Sequence, residues 1–574
     1  MAPSPLLRPA KAVAIAIGSA KAEPWRAALI GTLYAACVFV LYRTEYGPFA
    51  TSLSLLTLLF TASLGMALFR RPGIAAALSL IVFSVLIALS RLKFDVTQLT
   101  LTFLDLLLID RDTFSFLVTT HPWLKWQIAL GTMLVLPLLW LVFRLDPFRI
   151  RRRAAFAGAG ISLLGMIGLS VPNPEQPWEP FQGVNHISNL ARSGVAAVSH
   201  LAAHGWMEAE PKSLVRAAYA AAPTEECDVT QRRPHIILLL DESSFDISAA
   251  PGIKVPEGYS DFFQSADGKT RTFVAEATGG PTWYTEFNVL MGLSARSFGK
   301  MQYYVTRIAA GHISRGLPQS LKRCGYRTFS LYPSYGNFLN ARKFQHSAGV
   351  GGFVDAADMK AADEQQPDTF YFDQALRLIA RERPKGAPLF TFVYLAANHF
   401  PWTTTFRPDL TPDWRGPGNT AEVDEYIRRQ AMTKEAYENF VTALKARYPE
   451  DEFLIVRFGD HQPAISQKLL EPDLAPGELG KRVMKYDPRY FSTYYALDGI
   501  NYRPKNLASA PATLDAAYLP IVVQEAAGVP LDPTFAEQKR IMLRCNGVFY
   551  ACRDGAEARR FNRLLMDAGL IKGL

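Results

Sequence analysis

Five apolar segments occupy the first third of the 574-residue chain, and they constrain the fold more than any other feature. A helix needs about 20 apolar residues to cross the hydrocarbon core of a membrane, and each segment has nearly that length or more. A cleavable signal peptide would show one such segment followed by a small-residue cleavage site. Five segments in succession therefore exclude a cleavable signal peptide. We therefore predict a transmembrane domain over residues 1–172, with spans at Ala27–Tyr42, Ala50–Phe69, Gly73–Ser90, Gln127–Phe143 and Ala154–Val171.

The net charge of +9 belongs entirely to this N-terminal part. Residues 1–172 hold 16 Lys and Arg against 7 Asp and Glu, whereas the rest of the chain holds 45 of each sign. A nucleic-acid-binding domain would carry its own basic excess, so the sequence predicts no nucleic-acid partner.

The positions of the basic residues predict the orientation of the spans. They precede the first span, separate the second from the third at Arg70–Arg71, and separate the fourth from the fifth at Arg144–Arg153. Short loops rich in Lys and Arg stay in the cytoplasm. The sequence therefore predicts a multi-pass protein of the cytoplasmic (inner) membrane, with a cytoplasmic N-terminus and the chain after Val171 facing the periplasm or the outside.

Two further segments are predicted to lie near the membrane surface. The long connection Phe94–Trp126 contains an amphipathic stretch, which is either a helix at the outer interface or a buried packing helix. Residues 173–231 are predicted to be a juxtamembrane linker. Its proline-rich start excludes helix, and the spacing of apolar residues in His186–Ala222 predicts a surface helix.

From residue 232 to 574, short apolar runs alternate with amphipathic segments. This alternation predicts an α/β domain with helices on both faces of a central, largely parallel sheet. The predicted strands are His235–Leu240, Thr272–Ala275, Thr328–Tyr332, Leu389–Leu395 and Glu452–Phe458. The predicted helices are Phe287–Gly292, Gly316–Cys324, Asp373–Glu382 and Lys434–Tyr448.

Ligands on such sheets bind beyond the carboxyl ends of the strands. Glu242 follows the first predicted strand, His399 the fourth, and Asp460–His461 the fifth. Thr282 begins a predicted helix after the glycines at 279 and 280. Any one of these residues alone is more often a helix cap or a packed side chain, but their placement on one edge predicts a common site.

The chemistry of these residues predicts a metal-assisted nucleophile. Two carboxylates and an imidazole suit Zn²⁺ or Mn²⁺, with Mg²⁺ less favoured. A divalent ion beside the Thr282 hydroxyl would lower the pKa of that hydroxyl, and the start of a helix favours an incoming anion. An anionic ester of phosphorus or sulfur is the predicted target.

Four motifs resemble those of the sulfatase/alkaline phosphatase superfamily: Leu-Leu-Leu-Asp-Glu-Ser, Gly-Gly-Pro-Thr-Trp-Tyr-Thr-Glu-Phe, Asn-His-Phe-Pro and Phe-Gly-Asp-His. Together with five spans, they resemble its membrane-bound phospholipid head-group transferases, which include lipoteichoic acid synthases, glucan phosphoglycerol transferases and phosphoethanolamine transferases. The resemblance implies an extracytoplasmic sulfatase-like catalytic domain over residues 232–574.

The resemblance also implies roles for single residues. Glu242, Thr282, Asp460 and His461 match the ligands of one divalent ion, and Thr282 also matches the nucleophile. His399 matches the histidine that contacts the transferred phosphate. The segment from Tyr335 to Arg342 resembles the substrate-binding segment of the family, which makes Asn337 and Arg342 candidate substrate ligands.

The function implied is metal-dependent transfer of a phospholipid head group, through a phosphothreonine-type intermediate, to a hydroxyl of a cell-envelope glycan or lipid. The donor would be phosphatidylglycerol or phosphatidylethanolamine. The sequence lacks the Cys/Ser-x-Pro-x-Arg motif of sulfatases, which disfavours sulfate esters. No His follows His461, and only four cysteines lie outside the spans; both departures favour phosphoglycerol, or a head group not yet known in the family, over phosphoethanolamine.

The sequence is also compatible with two other functions. A membrane-anchored metal-dependent phosphodiesterase would use water in place of the acceptor. A catalytically inactive sulfatase-like binding protein would be a different class, although all four predicted ligand positions are filled. Among the outer cysteines, Cys545 and Cys552 are close enough in sequence to pair in an oxidising compartment, whereas Cys37 lies in a span and is predicted to stay a free thiol.

Overall fold

The computed structural model describes residues 24–97, 99–175, 179–211, 227–361 and 365–574. The chain divides into two units, Met1–Ala203 and His204–Leu574. Of the basic residues that precede the first predicted span, Arg8, Lys11 and Lys21 lie outside the described residues, as do residues 212–226 of the linker.

The described residues of the first unit form five helices that are long and apolar enough to cross a membrane, which confirms the predicted spans. Their lengths range from 19 to 26 residues and their mean hydropathy from 1.4 to 2.5. They are α1 (Pro24–Thr44), α2 (Pro48–Phe69), α3 (Pro72–Thr97), α6 (Leu124–Leu145) and α7 (Arg152–Ser170).

Small residues bring α2 close to both α3 and α7. A Cβ on Gly158 of α7 would lie 2.8 Å from Ser63 Oγ of α2, and a Cβ on Gly65 of α2 would lie 3.0 Å from Ala75 Cβ of α3. Acyl chains are as apolar as these helices, so the hydrophobic effect does not drive the helices together in lipid. They associate through close packing of this kind instead.

The connection between α3 and α6 forms two short helices, α4 (Phe103–Leu108) and α5 (Arg111–Thr120). The break follows from the sequence, because the Asp110 side chain accepts a hydrogen bond from the Thr113 backbone and starts a new helix. Leu104 and Phe116 are buried whereas Leu107 is exposed, so each helix has both a packed face and an open face.

The helix predicted over His186–Ala222 is shorter in the structure. Helix α8 spans His186–His204, and residues 205–211 are not helical. The reason is Gly205, whose φ of 70° ends the helix in the left-handed region. At the other end, the Glu45 carboxylate accepts hydrogen bonds from the backbone N–H groups of Ile187 (2.8 Å) and Ser188 (3.2 Å).

The second unit contains one eight-stranded sheet with the order β4-β3-β5-β1-β6-β7-β2-β8. Only β7 runs against its neighbours, so the expectation of a largely parallel sheet holds apart from this strand. The five predicted strands are present, and three more were missed: β4, β7 and β8. The bounds are β1 His235–Asp241, β2 Arg271–Val274, β3 Arg327–Leu331, β4 Gly352–Val354, β5 Leu389–Tyr394, β6 Phe453–Gly459, β7 Ser492–Ile500 and β8 Thr513–Asp515.

Helices cover both faces of this sheet. Ile237 and Leu239 of β1 belong to a core with the helices Asp368–Glu382 and Ala421–Arg447. In this core the rings of Phe372 and Phe440 stack with their centroids 4.6 Å apart. The alternate residue Leu238 points to the other face and is equally buried. The helices of this unit are α9 Thr282–Met291, α10 Val305–Ala309, α11 Leu317–Lys322, α12 Ala341–Ser347, α13 Ala356–Met359, α14 Asp368–Glu382, α15 Ala421–Arg447, α16 Ala464–Leu470, α17 Pro476–Met484, α18 Leu519–Ala526, α19 Pro533–Arg544 and α20 Ala556–Asp567.

Two disulfides link the four outer cysteines, and the pairing of Cys545 with Cys552 agrees with the sequence. The second disulfide joins Cys227 to Cys324, whose Cα atoms lie 5.3 Å apart although 97 positions separate them in the sequence. Cys37 is buried in α1 as a free thiol.

We predict one reactive thiol per chain when the unreduced protein is denatured and titrated with a thiol reagent. The single thiol is Cys37, since the other four cysteines are bonded. The variant Cys37→Ser should give none, and prior reduction should reveal all five cysteines of the wild type. Three or five thiols in the unreduced wild-type chain would contradict one or both disulfides.

Candidate active site

The pairing of β1 with β6 brings two carboxylates together. These parallel neighbours are in register, with Asp241 opposite Gly459, so Glu242 and Asp460 follow directly at the same edge of the sheet. The close approach requires a glycine in β6, because a Cβ on Gly459 would lie 2.0 Å from the Ser244 carbonyl oxygen. A side chain at position 459 would therefore clash with the Ser244 backbone, so glycine permits this approach.

Glu242, Asp460 and His461 form a buried cluster whose ligand atoms all lie within 4.8 Å of one another. His461 Nε2 is 3.6 Å from Glu242 Oε1 and 3.3 Å from Asp460 Oδ2. None of the three residues is more than 3% exposed, so water cannot screen their charges effectively.

Backbone hydrogen bonds orient the side chains of this cluster. Asp460 Oδ1 accepts from the N–H groups of Ser243 (2.7 Å) and His461 (2.8 Å), whereas Oδ2 is buried without a hydrogen bond of good geometry. His461 Nδ1 lies 2.9 Å from the Gln462 carbonyl oxygen. That contact assigns the ring proton to Nδ1 and leaves the Nε2 lone pair directed at the cluster.

Thr282 is the first residue of α9, and its hydroxyl lies against the cluster. Oγ1 is 3.3 Å from His461 Nε2 and 3.4 Å from Glu242 Oε2, and it also lies 3.1 Å from the Gly280 carbonyl oxygen. The structure thus brings together all four residues that the sequence suggested as metal ligands.

The loop before α9 is fastened to the end of β6. The Gly279 N–H donates to the Gln462 carbonyl oxygen at 2.8 Å, and the Thr285 hydroxyl donates to the Asp460 carbonyl oxygen at 2.6 Å. Gly279 has a φ of 71°, which only glycine adopts without strain. These bonds hold the position of Thr282 relative to Asp460.

Burial and charge shift the pKa values of the cluster in a consistent direction. Burial raises the pKa of Asp460 to about 8 and, together with the Asp460 charge, raises the pKa of Glu242. Burial lowers the pKa of His461. Two buried carboxylates with a neutral imidazole leave negative charge uncompensated, so a divalent cation fits this donor set.

His399 lies close enough for its charge to act on both Glu242 and His461. Its side chain is exposed, and its Nδ1 lies 2.8 Å from the Phe400 carbonyl oxygen. Its backbone carbonyl accepts from Arg429 Nη1 at 2.7 Å, which fixes the loop that follows β5. Because β5 lies beside β1 in the sheet, His399 and Glu242 follow neighbouring strands.

The two other predicted substrate ligands are placed differently. The Arg342 guanidinium pairs with Asp355 at 2.7 Å and Asp358 at 3.1 Å, and it donates to the Phe353 carbonyl oxygen at 3.0 Å. The Arg342 guanidinium is therefore already paired with two carboxylates of its own segment. Asn337 is half-buried after β3, and its Oδ1 atom is buried without a hydrogen bond. Roles for both residues in substrate binding stay predictions.

Sequence reasoning missed Ser243 at this site and Glu286 further along α9. Ser243 holds Asp460 with its backbone at a φ of 51°, and its hydroxyl donates to Glu242 Oε1 at 2.8 Å. Glu286 lies one turn beyond Thr282, fully buried, and accepts from Gln345 Nε2 at 2.7 Å. The spacing of four from Thr282 on a helix was the available signal for Glu286.

Residues 262–498 match the family model described as Sulfatase. The predicted resemblance to the sulfatase superfamily is therefore confirmed for this part of the chain, which follows a unit with five helices long and apolar enough to cross a membrane. Of the four residues around the cluster, Thr282, Asp460 and His461 lie inside the match, whereas Glu242 precedes it.

Among curated relatives, the chain is similar to lipoteichoic acid synthases. It is 25% identical to that of Staphylococcus saprophyticus over 193 residues, which cover 32% of this chain and 29% of the relative. It is 26% identical to that of Staphylococcus aureus strain USA300 over 153 residues, which cover 26% of this chain and 23% of the relative. The matches thus span less than a third of the length of these relatives.

Two solved structures are similar to the chain at low sequence identity. The Streptococcus pyogenes phosphoglycerol transferase GacH in complex with sn-glycerol-1-phosphate is 16% identical, with a TM-score of 0.46, over 60% of this chain and 87% of that one. The lipooligosaccharide phosphoethanolamine transferase A of Neisseria meningitidis is 13% identical, with a TM-score of 0.44, over 87% of this chain and 95% of that one.

We predict that Glu286→Gln stabilises the protein increasingly as the pH rises. Burial raises the pKa of Glu286 from 4.5 to about 8 in the folded chain. The stability that this carboxyl contributes is therefore complete below pH 4.5 and is lost as the pH rises towards 8, at up to about 1.4 kcal/mol per pH unit. Glutamine keeps the acceptor for Gln345 but has no proton to lose.

Thermal unfolding at pH 5, 7 and 9 in EDTA measures this difference. The melting temperature of Glu286→Gln should exceed that of the wild type most at pH 9. The exposed Glu435→Gln, with the same chemical change, should show no such trend. A difference between Glu286→Gln and wild type that stays constant from pH 5 to 9 would show that this carboxyl does not titrate as described.

Proposed function

We propose that this protein transfers the head group of a membrane phospholipid, by way of Thr282, to a hydroxyl of a cell-envelope glycan or lipid. The observation that carries the proposal is the position of one hydroxyl. Thr282 Oγ1 lies within 3.4 Å of both a carboxylate oxygen and an imidazole nitrogen, at the start of a helix, beside a cluster suited to a divalent ion.

The cluster would hold one divalent cation, Mn²⁺ or Zn²⁺, through Glu242, Asp460, His461 and the Thr282 hydroxyl. Such an ion supplies charge neutralisation for a phosphate and lowers the pKa of a neighbouring hydroxyl. The backbone bonds to Asp460 Oδ1 and the contact of His461 Nδ1 with Gln462 keep the remaining donor atoms directed inward. The site is thus organised before substrate arrives, which avoids reorganisation during the reaction.

In the first step, Thr282 Oγ1 attacks the phosphorus of the donor phosphodiester. A bond forms between Oγ1 and phosphorus, and the bond from phosphorus to the diacylglycerol oxygen breaks. Glu242 Oε2, at 3.4 Å, is positioned to accept the hydroxyl proton and to return that proton to the diacylglycerol oxygen as it leaves. The head group remains on Thr282 as a phosphodiester.

In the second step, a hydroxyl of the acceptor attacks the same phosphorus, and the bond to Thr282 breaks. The proton of the acceptor hydroxyl passes through Glu242 to the threonine oxygen, so the enzyme returns to its starting state. We assign His399 to the phosphate oxygens, because its Nδ1 is held by the Phe400 carbonyl and its Nε2 remains for substrate. The exposure of its ring suits a group that meets an incoming ligand.

The five apolar helices support a lipid donor, since a protein held in a bilayer meets phospholipids without a diffusional search. The basic loops favour a cytoplasmic-membrane orientation with residues 232–574 outside, as proposed from the sequence. Lipoteichoic acid synthases are among the curated relatives. The sequence has no His after His461, which favours phosphoglycerol over phosphoethanolamine as the head group.

We predict that Thr282→Ala abolishes transfer while the chain still folds. Removing the atom that forms the covalent bond costs several orders of magnitude in rate. The measurement is diacylglycerol release from phosphatidylglycerol by the full-length protein in bilayers with Mn²⁺. Peptide mapping of acid-quenched wild-type protein should place the head-group mass on the peptide that contains Thr282.

Thr278→Ala is the matched control, because its hydroxyl instead accepts from Gln467 Nε2 at 3.2 Å. It should keep a measurable fraction of activity, and so should Thr285→Ala. The mechanism would be wrong if Thr282→Ala retained near-normal release, or if the adduct mapped to another residue. Release by the wild type without any adduct, and without transfer to an acceptor, would instead indicate a phosphodiesterase.

A further inference from the structure

Three aromatic rings from separate parts of the chain meet beside Thr282. Trp283 packs edge-to-face on Tyr303, with ring centroids 5.1 Å apart, and on Phe338, with ring centroids 6.0 Å apart. All three side chains are half-buried, so part of each ring remains accessible. We call Trp283, Tyr303 and Phe338 the aromatic platform.

The aromatic platform lies at the reacting edge of the sheet and is held rigidly. Trp283 is the residue after Thr282, so their Cα atoms are about 3.8 Å apart. Phe338 follows β3, which runs parallel to β1 and ends at the same edge. The Trp283 Nε1–H donates to the Tyr303 carbonyl oxygen at 2.9 Å, which fixes the indole ring.

Two arginines near the aromatic platform are already engaged by other side chains. Arg342, four residues after Phe338, is bound by Asp355 and Asp358. Arg296, in the 3-10 helix that contains Tyr303, lies between the rings of Tyr486 and Tyr550, at 3.7 and 4.4 Å from their centroids. A ligand on the aromatic platform would therefore be bound mainly by stacking on the rings, which suits a neutral molecule.

A sugar ring suits these rings better than an acyl chain does. The C–H groups on one face of a sugar carry slight positive charge and pack against the negative face of an aromatic ring, while its hydroxyls stay solvated at the edge. A rigid ring also loses less conformational freedom on binding than a flexible acyl chain. A sugar stacked beside Thr282 would place a hydroxyl within a few ångströms of the phosphorus carried there.

We propose that the aromatic platform is the acceptor subsite and that it binds a neutral carbohydrate. The acceptor of the head group is then a glycan rather than a lipid. This inference rests on the proposed function, since it names the acceptor of that same site. Trp283 thus binds the acceptor and takes no part in cleavage of the donor.

The first arm of the test measures binding alone. Saturation-transfer NMR is recorded on the full-length protein with a panel of neutral gluco-, galacto- and manno-oligosaccharides and no donor lipid. At least one member should bind, and Trp283→Ala should weaken that binding at least tenfold, with partial recovery in Trp283→Phe. Tyr448→Ala is the matched control, because this half-buried ring packs on Phe453 at the opposite end of β6.

The second arm separates the two half-reactions with phosphatidylglycerol vesicles. In Trp283→Ala, formation of the Thr282 adduct should proceed at the wild-type rate, whereas its discharge to the bound oligosaccharide should fall at least tenfold. The KM for the oligosaccharide should rise, and the KM for the lipid should not. Tyr448→Ala should leave both half-reactions as they are in the wild type.

Two results would overturn the inference. One is that no oligosaccharide binds, or that Trp283→Ala binds as well as the wild type. The other is that adduct formation falls as much as discharge does, which would mean that the aromatic platform contacts the donor lipid. If the wild type forms no Thr282 adduct while oligosaccharide binding still depends on Trp283, the proposed function fails and the carbohydrate site stands.

Discussion

The burial of two carboxylates at the ends of adjacent parallel strands is the constraint on which the site depends. Glu242 and Asp460 have ligand atoms within 4.8 Å of each other. At an effective dielectric constant of 20, two unit charges at that separation repel by about 3 to 4 kcal/mol. Burial alone already raises both of their pKa values. A folded chain keeps such an arrangement only where a proton or a cation balances it, and the donor set suits a divalent cation.

The surrounding structure serves this arrangement. Gly459 lets the Ser244 backbone approach β6, and Ser243 turns in the left-handed region to give its N–H to Asp460. The hydroxyl of Thr285 then fastens α9 to the Asp460 backbone, which sets the distance from Thr282 to the cluster. Thr282 and the three residues of the cluster are thus positioned largely by contacts to the backbone, which are less variable than contacts between long side chains.

Much of this could be predicted from the sequence because it depends on local pattern. The five spans follow from composition and length, and the predicted strands follow from short buried runs. The missed strands lack that signal: β4 and β8 have three residues each, and β7 is partly exposed. The sequence also predicted that Glu242 and Asp460 lie together, because the carboxyl ends of parallel strands share one edge of the sheet. Thr282 was predicted beside them, since it begins a helix after a glycine-rich turn.

What could not be predicted depends on side-chain pairings that no motif shows or on single backbone angles. Arg342 is bound by Asp355 and Asp358, so a motif resemblance could not show its pairing. Helix α8 stops at Gly205, although the apolar spacing continues beyond it. The aromatic platform joins three segments that no periodicity relates, so it became visible only in three dimensions.

The measurement that tests the central claim most directly is the location of a metal ion by anomalous diffraction. Crystals of the full chain grown with Mn²⁺ or Zn²⁺ would be measured on both sides of the corresponding absorption edge. The account predicts one strong peak in residues 232–574, with Glu242, Asp460, His461 and the Thr282 hydroxyl as ligands at about 2.0–2.2 Å. A well-ordered site with no peak, or a peak bound by other side chains, would contradict it.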